Sequence, residues 1–254
     1  MKKSTLLLSA FFVVALVSCK DNDTTAPIIA DAHATAEVAA GGELVIEAHF
    51  TDDVELGQAK IDIHDLFDGH DHGKVAARWS ETRVVSLDGK DTEIEEVFIV
   101  DTNATAGPYH ALVQCTDAEG NNADFMEVDF WVTRADAPQF SVTSPVGGTD
   151  FEVGDVISFI GTAMDDTGLE KLIVRIYEGG PEGEHDHAAG HDDPIYEEEV
   201  ELSGNTMFDL SMLSPITIDA AWLEGESQMD FTIEVSGIDI DENIAHTEMH
   251  FQVH

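Results

Sequence analysis

Half of the 12 histidines of this 254-residue chain stand in two clusters, and these are the residues with the clearest chemical potential. The first cluster runs His64-Asp65-Leu66-Phe67-Asp68-Gly69-His70-Asp71-His72. The second runs Gly183-Glu184-His185-Asp186-His187-Ala188-Ala189-Gly190-His191-Asp192-Asp193. Both contain His-Asp-His. Imidazole is the commonest protein ligand for zinc, copper and nickel. Two histidines one residue apart project to the same side of an extended segment and can converge on one ion. Neighbouring aspartates can accept the other ring N–H or join the coordination shell. The implied chemistry is ligation of Zn²⁺ first, then Cu²⁺ or Ni²⁺, weakening as pH falls through about 6.5 where imidazoles protonate. The alternative is a solvated polar loop whose histidines do nothing.

Such ligands need a frame, and the chain supplies one twice. Thr51-Asp52-Asp53-Val54-Glu55-Leu56 precedes the strand-like residues 59–64; Met164-Asp165-Asp166-Thr167-Gly168-Leu169 precedes residues 172–177. Residues 109–115 run into Thr116-Asp117-Ala118-Glu119-Gly120-Asn121, and residues 231–237 run into Ile238-Asp239-Ile240-Asp241-Glu242-Asn243. The copies open alike, at Ala26-Pro27 and Ala137-Pro138. Nearly every strong segment alternates with period two, the mark of a half-buried strand. In residues 44–50, Leu44, Ile46, Ala48 and Phe50 face in, while Glu47 and His49 face out. No helix is expected beyond a turn near residues 218–223.

The Asp-Asp turn and the Asp-x-x-Gly-Asn turn resemble those of bacterial immunoglobulin-like domains, between strands B and C and strands F and G. The second copy departs from that pattern at residues 239–243. The resemblance implies an all-β chain of two tandem immunoglobulin-like β-sandwich domains, residues 27–133 and 138–254, joined by a linker at 134–137. Cys115 falls on strand F and faces inward, with no cysteine on strand B to pair with it.

The implied topology adds metal ligands. Strand C runs antiparallel to F, so the end of C lies beside the start of F. His64 and His110 should then be neighbours beneath the first loop, giving a set of His64, His70, His72 and His110. In the second copy the set is His185, His187, His191 and His254, with His250 below. His33 and His49 read as ordinary exposed histidines. At the opposite pole the two turns gather candidate calcium ligands: Asp52, Asp53, Asp117 and Glu119 in one copy, Asp165, Asp166, Asp239 and Asp241 in the other. Routine turn chemistry explains the same residues.

The N-terminus carries an address. Lys2 and Lys3 precede an apolar stretch over residues 6–17 that is too short to span a bilayer. It ends in Leu16-Val17-Ser18-Cys19, which resembles the lipobox of bacterial lipoproteins. The resemblance implies a signal peptide over residues 1–18, lipid on Cys19, and a tether over residues 19–26. An ordinary secretory cleavage is the alternative. Lys20-Asp21-Asn22-Asp23 resembles the export signal of Bacteroidota lipoproteins, and the whole chain is similar to uncharacterised Bacteroidota surface lipoproteins with tandem immunoglobulin-like domains and histidine-rich loops. An outer-membrane location is implied, with the membrane face left open.

Composition narrows the function. With 52 acidic against 11 basic residues and a formal charge of −41, the surface repels nucleic acid and concentrates cations. No nucleophile elbow, zinc-protease helix or phosphate loop is present, so no enzyme is expected. The first expectation is a lipoprotein that captures or buffers zinc and hands it to an outer-membrane transporter. The alternative is a cell-surface interaction module, an adhesin or a complex accessory, stabilised by calcium.

Overall fold

The computed structural model describes residues 23–67, 78–179 and 194–254. Cys19 and the signal peptide, His70, His72, His185, His187 and His191 lie outside the described residues. The first sandwich comprises β1 (Ile28–Ala34), β2 (Glu37–Ala39), β3 (Glu43–Thr51), β4 (Leu56–Asp65), β5 (Glu81–Ser86), β6 (Asp91–Ile99), β7 (Gly107–Asp117) and β8 (Met126–Thr133). One sheet has the order β1-β3-β6 and the other β2-β8-β7-β4-β5. β2 runs parallel to β8, and the remaining neighbours are antiparallel.

Alternation is what places these strands. In β3, Leu44, Ile46, Ala48 and Phe50 are buried, while Glu43 and Glu47 are exposed. Facing them are Ile61, Ile63, Tyr109, Ala111, Val113 and Phe130 from the second sheet. Burying a phenylalanine such as Phe50 or Phe98 contributes roughly 1.5–3 kcal/mol. Tyr109 is fully buried, yet its hydroxyl donates to the Thr105 carbonyl at 3.1 Å. That local bond at the start of strand F is the arrangement of a tyrosine corner. Cys115 is a buried free thiol, pushed up to about 11 by its burial.

The second sandwich comprises β9 (Gln139–Ser144), β10 (Thr149–Phe151), β11 (Val156–Ile157), β12 (Ile160–Glu178), β13 (Tyr196–Asp209), β14 (Ile216–Thr217), β15 (Met229–Asp239) and β16 (Ile244–Val253). It repeats the first path with two strands that serve both sheets. The first part of β12 pairs with β9 and with the end of β13. The second part pairs with β15 and with the start of β13. The crossing needs glycine. Gly168 has φ +128°, and a Cβ there would lie 2.5 Å from the Gly204 carbonyl oxygen. The short 3-10 turn Ala220–Leu223 falls in the stretch where the sequence allows a turn.

Each sandwich has its own core, one around Phe50, Phe98 and Tyr109, the other around Phe231, Leu169 and Leu172. Direct contacts join them. The Ala106 N–H donates to the Asn243 side-chain oxygen at 3.0 Å, and the Ile244 N–H donates to the Ala106 carbonyl at 2.9 Å. Arg134, between the domains, donates to the Thr102 and Ala104 carbonyls. Trp131 on β8 meets His246 on β16 edge to face, with ring centroids 4.1 Å apart.

Candidate functional site

Antiparallel pairing sets His64 of β4 directly opposite His110 of β7. The rings meet edge to face at 84° with centroids 4.0 Å apart, and the two Nε2 atoms are in direct contact. His110 is 1% exposed although alternation turns it away from its own core. On its other side β8 brings Asp129 into register. As they stand, one ring donates and the other accepts. A zinc ion held at about 2.0–2.1 Å from each nitrogen would need the two to part to about 3.3 Å. The loop base beside them is braced by Arg78, which lies 4.0 Å over the Phe67 ring and pairs with Asp65 at 3.0 Å and Glu242 at 3.5 Å.

The second histidine set is arranged differently. His246, Glu248 and His250 share one face of β16, as alternation requires. The His250 Nδ1 lies 2.8 Å from the Thr232 hydroxyl. His254 is exposed at the end of the chain. Four residues of strand separate His250 from His254 by about 13 Å, so one ion cannot bind both. Two further histidines of the first domain, exposed His33 and half-buried His49, lie in a shallow groove: His33 pairs with Asp31 at 3.0 Å and His49 with Asp91 at 2.8 Å. The hydrogen bond that His49 donates to Asp91 is the main reason it titrates above its ordinary value, with the charges of Glu93 and Asp31 adding to it.

Where the domains meet, a cleft of about 470 Å³ opens between their outer sheet faces. Trp131 contributes from the first domain; Arg175, Tyr177, Glu234, His246 and Glu248 contribute from the second. Glu234 is 8% exposed and accepts from the Ser236 hydroxyl at 2.6 Å. Burial, and then the charge of Glu234, push the Tyr177 hydroxyl up to about 12. The sequence gives no sign that these residues meet. The outward stripe on β16 was the available signal; its covering by Trp131 depends on domain packing.

At the far pole the two turns do adjoin. The Ala118 N–H donates to the Glu55 carbonyl in the first domain, and the Ile240 N–H to the Gly168 carbonyl in the second. The calcium grouping expected there is redrawn. Asp117 Oδ1 accepts from the amides of Glu119, Gly120 and Asn121, and Oδ2 accepts from the Asn121 side chain. Asp239 is used the same way by Asp241 and Asn243. These aspartates build their turns. Burial raises both carboxyls; in Asp117 the hydrogen bonds outweigh it and hold the group below its ordinary value. In Asp239 burial wins, with the charge of Asp165 adding to it, and the group stands above that value. Asp166 and Asp241 are exposed. Among the described residues, the group that brings three potential ligands together is Asp23, Asp52 and Asp53, without Asp117 or Glu119.

The sandwich that carries the histidine pair and this acidic group is the one with a counterpart. Residues 17–132 match the family model of DUF4625, a domain of unknown function. The DUF4625 match spans the first sandwich and stops before the second. No curated protein matches the sequence. Solved structures with related architecture include a tetra-tandem repeat from the extending region of a large adhesion protein, at 12% identity, covering 91% of this chain and 50% of that one with a TM-score of 0.35. The fibronectin(III)-like modules of Clostridium thermocellum CbhA match at 13% identity over 89% of this chain and 92% of theirs, with a TM-score of 0.25. Native alpha-2-macroglobulin of E. coli matches at 12% identity over 86% of this chain, with a TM-score of 0.34, and this chain spans 13% of its length.

Proposed function

We propose that this chain is a non-enzymatic interaction module of the bacterial surface, tethered through lipid on Cys19, in which the inter-domain cleft is the recognition site. One observation carries the reading: the domains are bonded to one another through Ala106, Asn243 and Ile244, and that junction holds Trp131 against His246 at the cleft. A cleft lined by Trp131, Tyr177, the Arg175 guanidinium and the four carboxylates of Glu37, Asp129, Glu234 and Glu248 suits a partner segment that offers both rings and positive charges. Photo-crosslinking groups placed at Glu37 and Glu248, on opposite sides of the cleft, in living cells test it. A discrete adduct that survives chelation of metals supports the module. Absence of any adduct at both positions refutes it.

A second reading is favoured by a separate observation, the meeting of His64 and His110. Here the first domain captures Zn²⁺, or Cu²⁺ or Ni²⁺, at the base of its histidine loop and passes it to an outer-membrane transporter. Two imidazoles from different strands directed at one point are a sound start for such a site. Elemental analysis of protein purified without a histidine tag tests it: stoichiometric zinc lost in His64→Gln supports the site, and metal-free protein that ignores added zinc refutes it.

A further inference from the structure

The turn that fixes the second sandwich to the first is built over two buried carboxylates. Asp239 is 0% exposed and Asp165 is 7% exposed. They belong to the two turns at one pole, and those turns are tied together. Oδ1 of Asp165 accepts from the Gly168 amide at 2.6 Å, and the Gly168 carbonyl accepts from the Ile240 amide at 3.0 Å. Leu169 lies in register with Asp239. The charge of Asp165 is felt at Asp239, where it adds to the effect of burial. Two buried carboxylates that feel each other resist ionising together.

Their oxygens are treated unequally. Asp239 accepts from the amides of Asp241 and Asn243 and from the Asn243 side chain. Oδ1 of Asp165 accepts from the amide and hydroxyl of Thr167 as well as from Gly168. Oδ2 of Asp165 is shielded from water and has no donor among the described residues. A buried carboxylate oxygen without a donor bears its desolvation cost for as long as the group is charged. The cations nearby are committed elsewhere. Arg134, which senses the charge of Asp239, donates to Asp136 and to the Thr102 and Ala104 carbonyls. Lys171 is held by Glu199 and Glu201, and Arg78 pairs with Asp65 and Glu242. The other charged neighbours, Asp166, Glu170 and Asp241, are exposed and negative.

Asn243 carries the consequence to the junction. Its Nδ2 donates to Asp239 at 2.9 Å, and its side-chain oxygen accepts from the Ala106 amide of the first domain at 3.0 Å. The first sandwich has no such link at this pole: Asn121 holds Asp117 but reaches only the Asp23 carbonyl.

We propose that Asp165 and Asp239 form a proton-operated latch: acidification adds one proton between them, which relaxes the paired turns and firms the junction that Asn243 makes with Ala106. Because Asp239 stands above its ordinary value, this contribution grows as pH falls and is lost as pH rises through the folded value. It acts on the junction whether or not the cleft beside it holds a partner.

Calorimetry of the purified full chain in EGTA, from about pH 7.5 down to about pH 4.5, tests the latch. The two sandwiches should melt more nearly as one unit as the pH falls. Asp165→Asn keeps the Oδ1 acceptor and offers an N–H donor in place of Oδ2. It should raise the melting temperature at neutral pH by roughly 2–4 °C and remove at least half of the gain on acidification. Asp166→Asn removes the same charge at the surface and should do neither. Carbon-13 carboxyl spectra of the unmodified chain give an independent reading: one aspartate step is expected at higher pH than the rest, and it should vanish in Asp165→Asn. A lower melting temperature for Asp165→Asn with the acid gain intact overturns the proposal. So does equal behaviour of Asp166→Asn, or the absence of an early aspartate step in the unmodified chain.

Discussion

Asn243 is bonded at both ends: its side-chain oxygen accepts from Ala106 in the other domain, and its Nδ2 donates to Asp239 at 2.9 Å in its own turn. One residue thus holds the F–G turn in shape and fixes that turn to the first sandwich. Asn121, its counterpart, uses Nδ2 alone, donating to Asp117 Oδ2 in its own turn at 2.6 Å and to the Asp23 carbonyl at 3.2 Å.

Replacing Asn243 by alanine should therefore cost more than a turn residue usually does. Two buried partners lose their bond, at about 1–3 kcal/mol in total. Calorimetry should show a melting temperature lowered by a few degrees and a single transition splitting into two. A variant that still melts as one unit at the parent temperature would show that the junction rests on other contacts.

Asp117→Asn and Asp239→Asn should differ although the motifs match. Asp117 is held below its ordinary value, so its contribution to stability is present above the unfolded value near 3.9 and is lost as pH falls through the folded value. Asp239 is held above it, so its contribution is present below about 3.9 and is lost as pH rises through the folded value. At neutral pH the Asp239 charge opposes folding. Urea midpoints at pH 7 should fall further for Asp117→Asn than for Asp239→Asn, and a reversed order would contradict the assignment.

Of the first histidine set, the meeting of His64 and His110 was legible, while His70 and His72 lie outside the described residues. Period two fixed which way His64 and His110 point, and the antiparallel pairing of strands C and F made them neighbours. What periodicity does not encode is what covers an outer face. His110 points away from its own core and is buried, and Trp131 meets His246 across a junction that strand alternation does not encode. Asp23 reads as part of a tether, because nothing in a run of polar residues signals that Asn121 will capture its carbonyl.

Zinc titration separates the His64 and His110 pair from the other histidines. His64→Gln should abolish the tightest site, while His33→Gln should leave it unchanged. Affinity should also drop in mildly acidic buffer, since ligation needs neutral imidazole. A titration indifferent to both the substitution and the pH would remove this pair from consideration.

Gly168→Ala should be among the most damaging small substitutions. The added carbon would lie 2.5 Å from the Gly204 carbonyl oxygen, and the backbone there has φ +128°. A loss of about 2 kcal/mol or more is expected, on the scale of strained backbone positions. Chemical denaturation checks it, with Gly89→Ala, where no atom lies within 4 Å, as the matched substitution.

The Cys115 thiol should be inert in the folded chain. Burial has pushed it up to about 11, so little thiolate exists at neutral pH. A thiol reagent should label it only after denaturant is added. Rapid labelling of the native protein would mean that the first core opens locally.

The parallel pairing of β2 with β8, and of β10 with β16, has a mechanical consequence. Each pair joins an early strand of its domain to the last one. Tension applied between the ends loads these rungs together, in shear, and they cannot be peeled one at a time. Such a linkage lets each sandwich bear a pull along its strands without unzipping, and force spectroscopy would register it as two separate rupture peaks, one for each sandwich.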